Sequence, residues 1–223
     1  MLEAGTKLRL RFAKEGRAVY ISHLDLMRTM QRSFLRAGYP LKYSEGFNPH
    51  PVISILLPLG VGVSSQCELM DFSLTEPLDE TSLPERLTRA MPEGVRALEV
   101  YAGGRKVKEL KWLRIEGVFE YDGRDPAKMC EGLSDFFARK QIVITRKTKR
   151  GEGESDIAPA IRSVAFSAGE KRVTLEAVIS AQDPTLNPEH LANALRQLAP
   201  DLAPDFAEFR RIEVCDAEMN IFH

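Results

Sequence analysis

Lys7-Leu8-Arg9-Leu10-Arg11-Phe12 alternates cationic with apolar side chains, the period of a half-buried β-strand. Ser22 then opens a helix to about Ala37. Leu24, Met27, Met30 and Phe34 recur on one side of it, and Gly38 with Pro40 ends it. Residues 52–57 and 67–74 read as strands joined through Gly60-Val61-Gly62. Ser82 is placed to cap a second helix carrying Leu83, Leu87 and Ala90, stopped by Pro92 and Gly94. Residues 95–101 close the unit as a strand. The order is strand, helix, two strands, helix, strand.

The second half repeats that order. Residues 110–121 read as a strand, and Asp125-Pro126 opens a helix with Met129, Leu133 and Phe136. Residues 141–147 form a strand rich in β-branched side chains. Residues 161–167 and 173–180 pair around the turn Ala168-Gly169-Glu170. Asn187-Pro188 starts a helix with Leu191, Ala194, Leu195 and Leu198, and residues 206–214 finish as a strand. The expected fold class is α+β: two tandem ferredoxin-like (βαββαβ) domains, each with helices on one face of an antiparallel sheet. The boundary falls at Ala102-Gly103-Gly104, giving residues 1–103, which carry the candidate site, and residues 104–223. The halves share element order and no evident sequence identity, and no period of 20–50 residues marks a solenoid.

Hydrophobic residues make up 43% and charged residues 28%, the balance of an ordinary globular chain. No apolar run approaches the roughly 18 residues of a membrane span. The N-terminal residues lack the apolar core of a signal peptide. Cys67, Cys130 and Cys215 are odd in number and far apart, which argues against a disulfide framework and makes the cytoplasm the expected compartment. The net charge of −1 hides segregation: +5 over residues 1–50 and +6 over 101–150, against −5, −3 and −4 in the blocks between and after. Such blocks either build a basic face for a polyanion or intermix on folding.

Residues 20–51 combine the most polar side chains with the most backbone punctuation. Ser22-His23-Leu24-Asp25 fits a capping box, which accounts for Ser22 and Asp25 without any chemistry. His23 lies outside that explanation. At a helix N-terminus the dipole favours the neutral imidazole, which can accept a proton or bind a ligand, or simply face solvent. Arg28, Arg32 and Arg36 recur every fourth residue, a row of like charges that phosphate would relieve and that acids elsewhere in the chain would relieve equally. Arg17 and Lys42 flank the same helix. In Ser44-Glu45-Gly46-Phe47-Asn48-Pro49-His50-Pro51 the prolines remove two donors and push Asn48 and His50 toward extended backbone. Phe47 there either stacks on a base or pins the loop to the core.

A second basic cluster, Arg146-Lys147-Thr148-Lys149-Arg150, follows a strand and is expected as a projecting loop that offers further phosphate contacts. Six basic residues and no acid lie between Arg139 and Arg150. The sequence has no P-loop or dinucleotide fingerprint, no closely spaced Cys or His pairs for zinc, and no Gly-x-Ser-x-Gly elbow. Its isolated cysteines cannot form the triad that holds a radical-SAM cluster.

Ile21-Ser22-His23-Leu24-Asp25-Leu26-Met27-Arg28, Arg36-Ala37-Gly38-Tyr39-Pro40 and Gly46-Phe47-Asn48-Pro49-His50-Pro51 together resemble a bacterial family of unknown function linked to radical-SAM proteins. Pro58-Leu59-Gly60-Val61-Gly62-Val63 and Asp156-Ile157-Ala158-Pro159 extend the resemblance over nearly the whole chain. Glu45 stands where glutamine is expected, and Ala158 where arginine is expected, which removes a phosphate contact from that turn. In that family the domain stands beside, or is fused behind, a cobalamin-binding radical-SAM enzyme. The resemblance implies an accessory module that binds no cofactor itself, its partner carrying the iron–sulfur cluster, S-adenosylmethionine and cobalamin. Neighbouring ribosomal-protein and ribonuclease genes in that family imply RNA.

The leading expectation is therefore an RNA-binding, substrate-presenting partner of a radical-SAM enzyme. Arg28, Arg32, Arg36, Arg146, Lys147, Lys149 and Arg150 would hold phosphates, and Phe47, Asn48 and His50 would contact the target nucleotide or the enzyme. The tandem fold also resembles the CRISPR RNA-processing endonucleases, which cleave without metal through a histidine near the first helix. On that alternative His23 and His50 act as general base and acid. A third reading is a protein-interaction scaffold without RNA.

Overall fold

The computed structural model describes residues 3–77, 81–148 and 151–223, with residues 147 and 148 described in backbone only. Lys149 and Arg150 thus lie outside the described residues. Over the described residues the fold is mixed α+β with antiparallel sheet pairing and four α-helices. The chain divides into two compact units, Met1–Val107 with His223, and Lys108–Phe222. Among the described residues no helix is long and apolar enough to cross a membrane.

The first unit runs β1 (Leu8–Lys14), a 3₁₀ turn (Gly16–Tyr20), α1 (His23–Arg36), β2 (Ile53–Leu56), β3 (Ser64–Phe72), α2 (Leu83–Ala90) and β4 (Val95–Ala102). Its strands lie in the order β4-β1-β3-β2, every neighbouring pair antiparallel. Pairing Leu8 with Phe72 and Leu10 with Met70 places these side chains on one face, since partners across a ladder point the same way. That face forms the core with Leu26, Met30 and Phe34 of α1 and Leu83 and Leu87 of α2. The Phe34 and Phe72 rings meet at 4.9 Å. Leu24, expected on the buried stripe, is 67% exposed instead. The stripe that packs is Leu26, Met30 and Phe34 at four-residue spacing, two positions round the helix from Leu24. Ser82 precedes α2 as expected, yet its hydroxyl makes no capping bond.

Alternation in β1 puts Arg9 on the opposite face, where it is fully buried. Its Nε and Nη2 donate to the Asp71 carboxylate at 2.7 and 3.2 Å, and Nη2 donates to the Arg105 carbonyl at 2.9 Å. Asp71 also takes the Lys7 ammonium at 2.7 Å. Removing one partner would strand a buried charge, a loss of about 3–5 kcal/mol.

The two helices finish each other. A helix leaves its last carbonyls without an internal donor. Arg86 of α2 donates to the carbonyl of Ala37, the C-cap of α1, at 3.0 Å, and its guanidinium lies 4.8 Å over the Tyr39 ring. Arg36 of α1 in turn donates from Nε and Nη2 to the carbonyl of Ala90, the last residue of α2. Arg36 is thereby a structural tie as well as the end of the arginine row.

The second unit runs β5 (Trp112–Glu120), α3 (Pro126–Phe137), β6 (Val143–Thr148), β7 (Gly151–Asp156), β8 (Ile161–Ala168), β9 (Arg172–Ser180), α4 (Glu189–Leu198) and β10 (Phe206–Cys215). Its main sheet has the order β10-β5-β9-β8, again antiparallel. Asp125 caps α3 by accepting from Ala127 N at 3.0 Å, and Asn187 Oδ1 accepts from Glu189 N at 3.1 Å where α4 begins. Gly117 sits where a β-carbon would come within 2.9–3.0 Å of Phe209 and Leu175, so the core closes onto bare backbone there. The strand expected at residues 141–147 exists as β6 and pairs, among the described residues, with β7 alone, which the sequence pattern does not signal. A two-stranded ribbon is marginal alone, and α4 holds this one. Gln197 Oε1 accepts from Thr145 N at 2.8 Å while its Nε2 donates to Thr145 O at 3.0 Å.

The mutual capping yields a stability test. Arg36→Ala and Arg86→Ala should each destabilise the protein by about 1–2 kcal/mol in urea unfolding, from the lost carbonyl bonds. Unchanged midpoints in both variants would show that these bonds contribute nothing.

Candidate functional site

The start of α1 is a closed polar system. Ser22 Oγ accepts from Asp25 N at 3.2 Å and donates to Asp25 Oδ2 at 2.7 Å. Arg28 Nη1 reaches Asp25 Oδ1 at 3.1 Å. The Ser22 hydroxyl, and after it Arg28, holds the Asp25 carboxyl below its usual range. The Asp25 carboxylate therefore takes the serine hydroxyl rather than a free amide, half of the expected capping box. His23 is exposed beside it. Along the exposed row, Arg28 is paired with Asp25 and Arg36 with Ala90, whereas Arg32 makes no polar contact to the described residues.

The segment after α1 does not run back along the helix. It is held at the C-terminal end of β3 by Lys42 N donating to Ser73 O (2.8 Å), Thr75 N to Pro40 O (3.0 Å) and the Leu41–Leu74 bridge. The chain then turns back on itself. Val52 N donates to Lys42 O at 2.7 Å and Ser44 N to His50 O at 2.8 Å, with Tyr43 bridged to Pro51. Ser44 Oγ closes the neck by accepting His50 N at 3.1 Å, and it lies 3.0 Å from His50 Nδ1. Gly46, at φ +119°, makes a turn that a side chain would strain. At the tip, Glu45, Phe47, Asn48 and Pro49 all face solvent, and Phe47 is exposed over its whole surface. Phe47 therefore does not pin the loop to the core.

Behind the neck lies a cleft of about 620 Å³. Ser44 and His50 line one side, Val52 with Ser54 and Leu56 of β2 the floor, and Lys7, Asp71 and Val107 the far wall. Lys7 and Asp71 escaped the sequence reading. Lys7 begins the alternating strand, but nothing in local spacing marks a partner 64 residues away.

His23 and His50 are not brought together. The cleft at His50 includes Lys7, just before β1. His23 follows Ile21, whose carbonyl accepts from Lys14 Nζ at the other end of β1. Seven residues of strand separate those ends by about 20 Å. His190 of α4 is half-buried with Nδ1 lacking a partner among the described residues. Burial first, and Arg146 second, lowers its pKa. The His223 ring meets Tyr101 edge-on at 5.6 Å.

The second basic cluster is a strand rather than a projecting loop over Arg146 and Lys147. Its partner strand is acidic: Lys147 lies opposite Glu152 and Thr145 opposite Glu154. No group of three or more His, Cys, Asp or Glu among the described residues is placed to hold a metal ion, and all three cysteines are free.

Residues 7–188 match the family described as an uncharacterized protein conserved in bacteria, DUF2344. The chain belongs to that family. The DUF2344 match covers β1, α1, the loop and the cleft in full. No curated protein matches the chain. Among solved structures, an unknown protein from Galdieria sulphuraria is 7% identical, covering 92% of this chain and 98% of that one, with a TM-score of 0.27. A putative glycine cleavage system transcriptional repressor is 11% identical with the same coverage and a TM-score of 0.24. Likeness at that level carries no structural or functional argument.

Ser44→Ala removes the acceptor of the His50 amide and should cost about 1 kcal/mol. Hydrogen exchange at the His50 amide should speed up in that variant while β1 amides stay protected; equal protection of His50 in both proteins would contradict the assigned neck.

Proposed function

We propose that this chain is a non-catalytic accessory protein that presents RNA to a cobalamin-binding radical-SAM enzyme in the cytoplasm. The observation that carries the RNA half is Phe47, an aromatic ring left wholly in water at the tip of a loop whose neck is tied by backbone bonds. A ring held out at no entropic cost of ordering is suited to stack on an unpaired base, an interaction of about 1–3 kcal/mol. Asn48 and His50 beside it supply hydrogen-bonding groups for a base edge. Arg28 and Arg32 are exposed for phosphate contact, and Arg146 adds one cation on the ribbon.

The enzyme half rests on the sequence resemblance, and the iron–sulfur cluster, S-adenosylmethionine and cobalamin would all be the partner's. The strand order β4-β1-β3-β2 beneath two helices supports a ferredoxin-like reading of the first unit. The second unit supports it with one departure, the β6–β7 ribbon inserted after α3. Separation of His23 from His50 by most of a strand argues against a shared acid–base reaction at one phosphodiester.

Fluorescence anisotropy with single-stranded RNA tests this reading. Phe47→Ala should weaken binding about tenfold or more. Arg28→Gln with Arg32→Gln should shallow the salt slope by about 1.4, whereas Arg36→Gln should leave the slope and lower stability. Absence of RNA binding by the wild type, alone or with the enzyme, removes the proposal. Metal-independent cleavage abolished by His23→Ala with His50→Ala would replace it with the nuclease.

A further inference from the structure

We infer that the cleft behind the loop neck is a nucleotide subsite, taking the base of one ribonucleotide on its apolar floor and the phosphate on Lys7. This deepens the RNA reading and rests on it. The inference starts from charge. Asp71 is one carboxylate shared by two cations, the buried Arg9 and the half-exposed Lys7. Arg9 cannot leave, being fully buried and held at both Nε and Nη2. Of the two cations on Asp71, the Lys7 ammonium is the one that lines the cleft wall. That ammonium has three N–H groups and gives one to Asp71, so two remain for an anion. The carboxylate also anchors the flexible lysine stem, which reduces the ordering cost of binding.

The rest of the cleft is mostly apolar. Pro51, Val52, Leu56 and Val107 contribute carbon surface, and the hydroxyls of Ser44 and Ser54 punctuate it. His50 adds one further polar atom, because Ser44 and the Asn48 carbonyl occupy Nδ1 and leave Nε2. A volume near 620 Å³ falls within the roughly 300–1,000 Å³ of small-ligand sites, which share this pattern of apolar walls with few polar groups. One flat apolar body with one anionic group fits; a polyanion without an apolar body does not. The neck forming the near wall leads outward through Pro49 and Asn48 to Phe47, so adjacent nucleotides would meet the cleft and the exposed ring in turn.

Calorimetric titration of the full chain with the four ribonucleoside 5′-monophosphates, the four nucleosides and inorganic phosphate tests this. At least one monophosphate should bind the wild type, with its nucleoside and phosphate each about tenfold weaker. Lys7→Gln should reduce monophosphate affinity about tenfold. Ser54→Trp, at an exposed strand position facing the cleft, should block it, with thermal unfolding reporting that the variant stays folded. Both variants should weaken single-stranded RNA as well. No monophosphate binding at millimolar concentration overturns the subsite, as does binding indifferent to both substitutions. RNA affinity unchanged in Lys7→Gln and Ser54→Trp overturns it while leaving the RNA reading standing, and loss of all RNA binding by the wild type takes down both.

Discussion

The candidate site depends on a ladder of backbone hydrogen bonds that carries the end of β3 outward into the loop. Ser73 O receives Lys42 N, Lys42 O receives Val52 N, and Ser44 N closes onto His50 O. Each of these groups would otherwise have to find water or a side chain, and two prolines in the segment leave few alternatives. The ladder fixes the neck, and the fixed neck is what keeps Phe47 away from the apolar surface it would otherwise seek. It also sets one wall of the cleft in which Lys7 stands. An exposed ring on a slack loop would be unremarkable; on a tied one it is a defined surface.

The order of strands and helices was readable because each element announces itself locally. Alternation gave β1, proline and glycine gave the ends of α1 and α2, and Asp125 and Asn187 marked the starts of α3 and α4 by the bonds they make. What escaped had no local signature. β7 alternates glycine with acids and buries no apolar row, so hydrophobic periodicity has nothing to report; only pairing with β6 and the grip of Gln197 make it a strand. Leu24 fits a buried stripe by spacing because a helix start admits more than one apolar register, and the packed core takes Leu26 instead.

The site divided along the same line. Sequence located the loop, since costly backbone and clustered polar residues are visible in one window. It could not tell which cations are free. Arg36 belongs to a row by spacing, yet its bond to Ala90 links it to a helix 54 positions away. The Lys7–Asp71–Arg9 cluster is likewise assembled only by strand register, with Arg9 opposite Asp71 across the β1–β3 ladder. Charge counted along the chain therefore does not distinguish Arg36, tied to Ala90, from the rest of its row, and does not single out Lys7 at the cleft.

Membership of the DUF2344 family places the loop and cleft inside a domain shared among bacteria, and the remaining question is whether the surface they form touches RNA. Ultraviolet cross-linking of the protein purified with its native RNA, followed by mass spectrometry of nucleotide-bearing peptides, addresses this without presuming a target. The account places cross-links on the peptide spanning Tyr43 to Pro51, centred on Phe47 and His50. Cross-links confined to the β6–β7 ribbon, or none on the loop when RNA is bound, would contradict it.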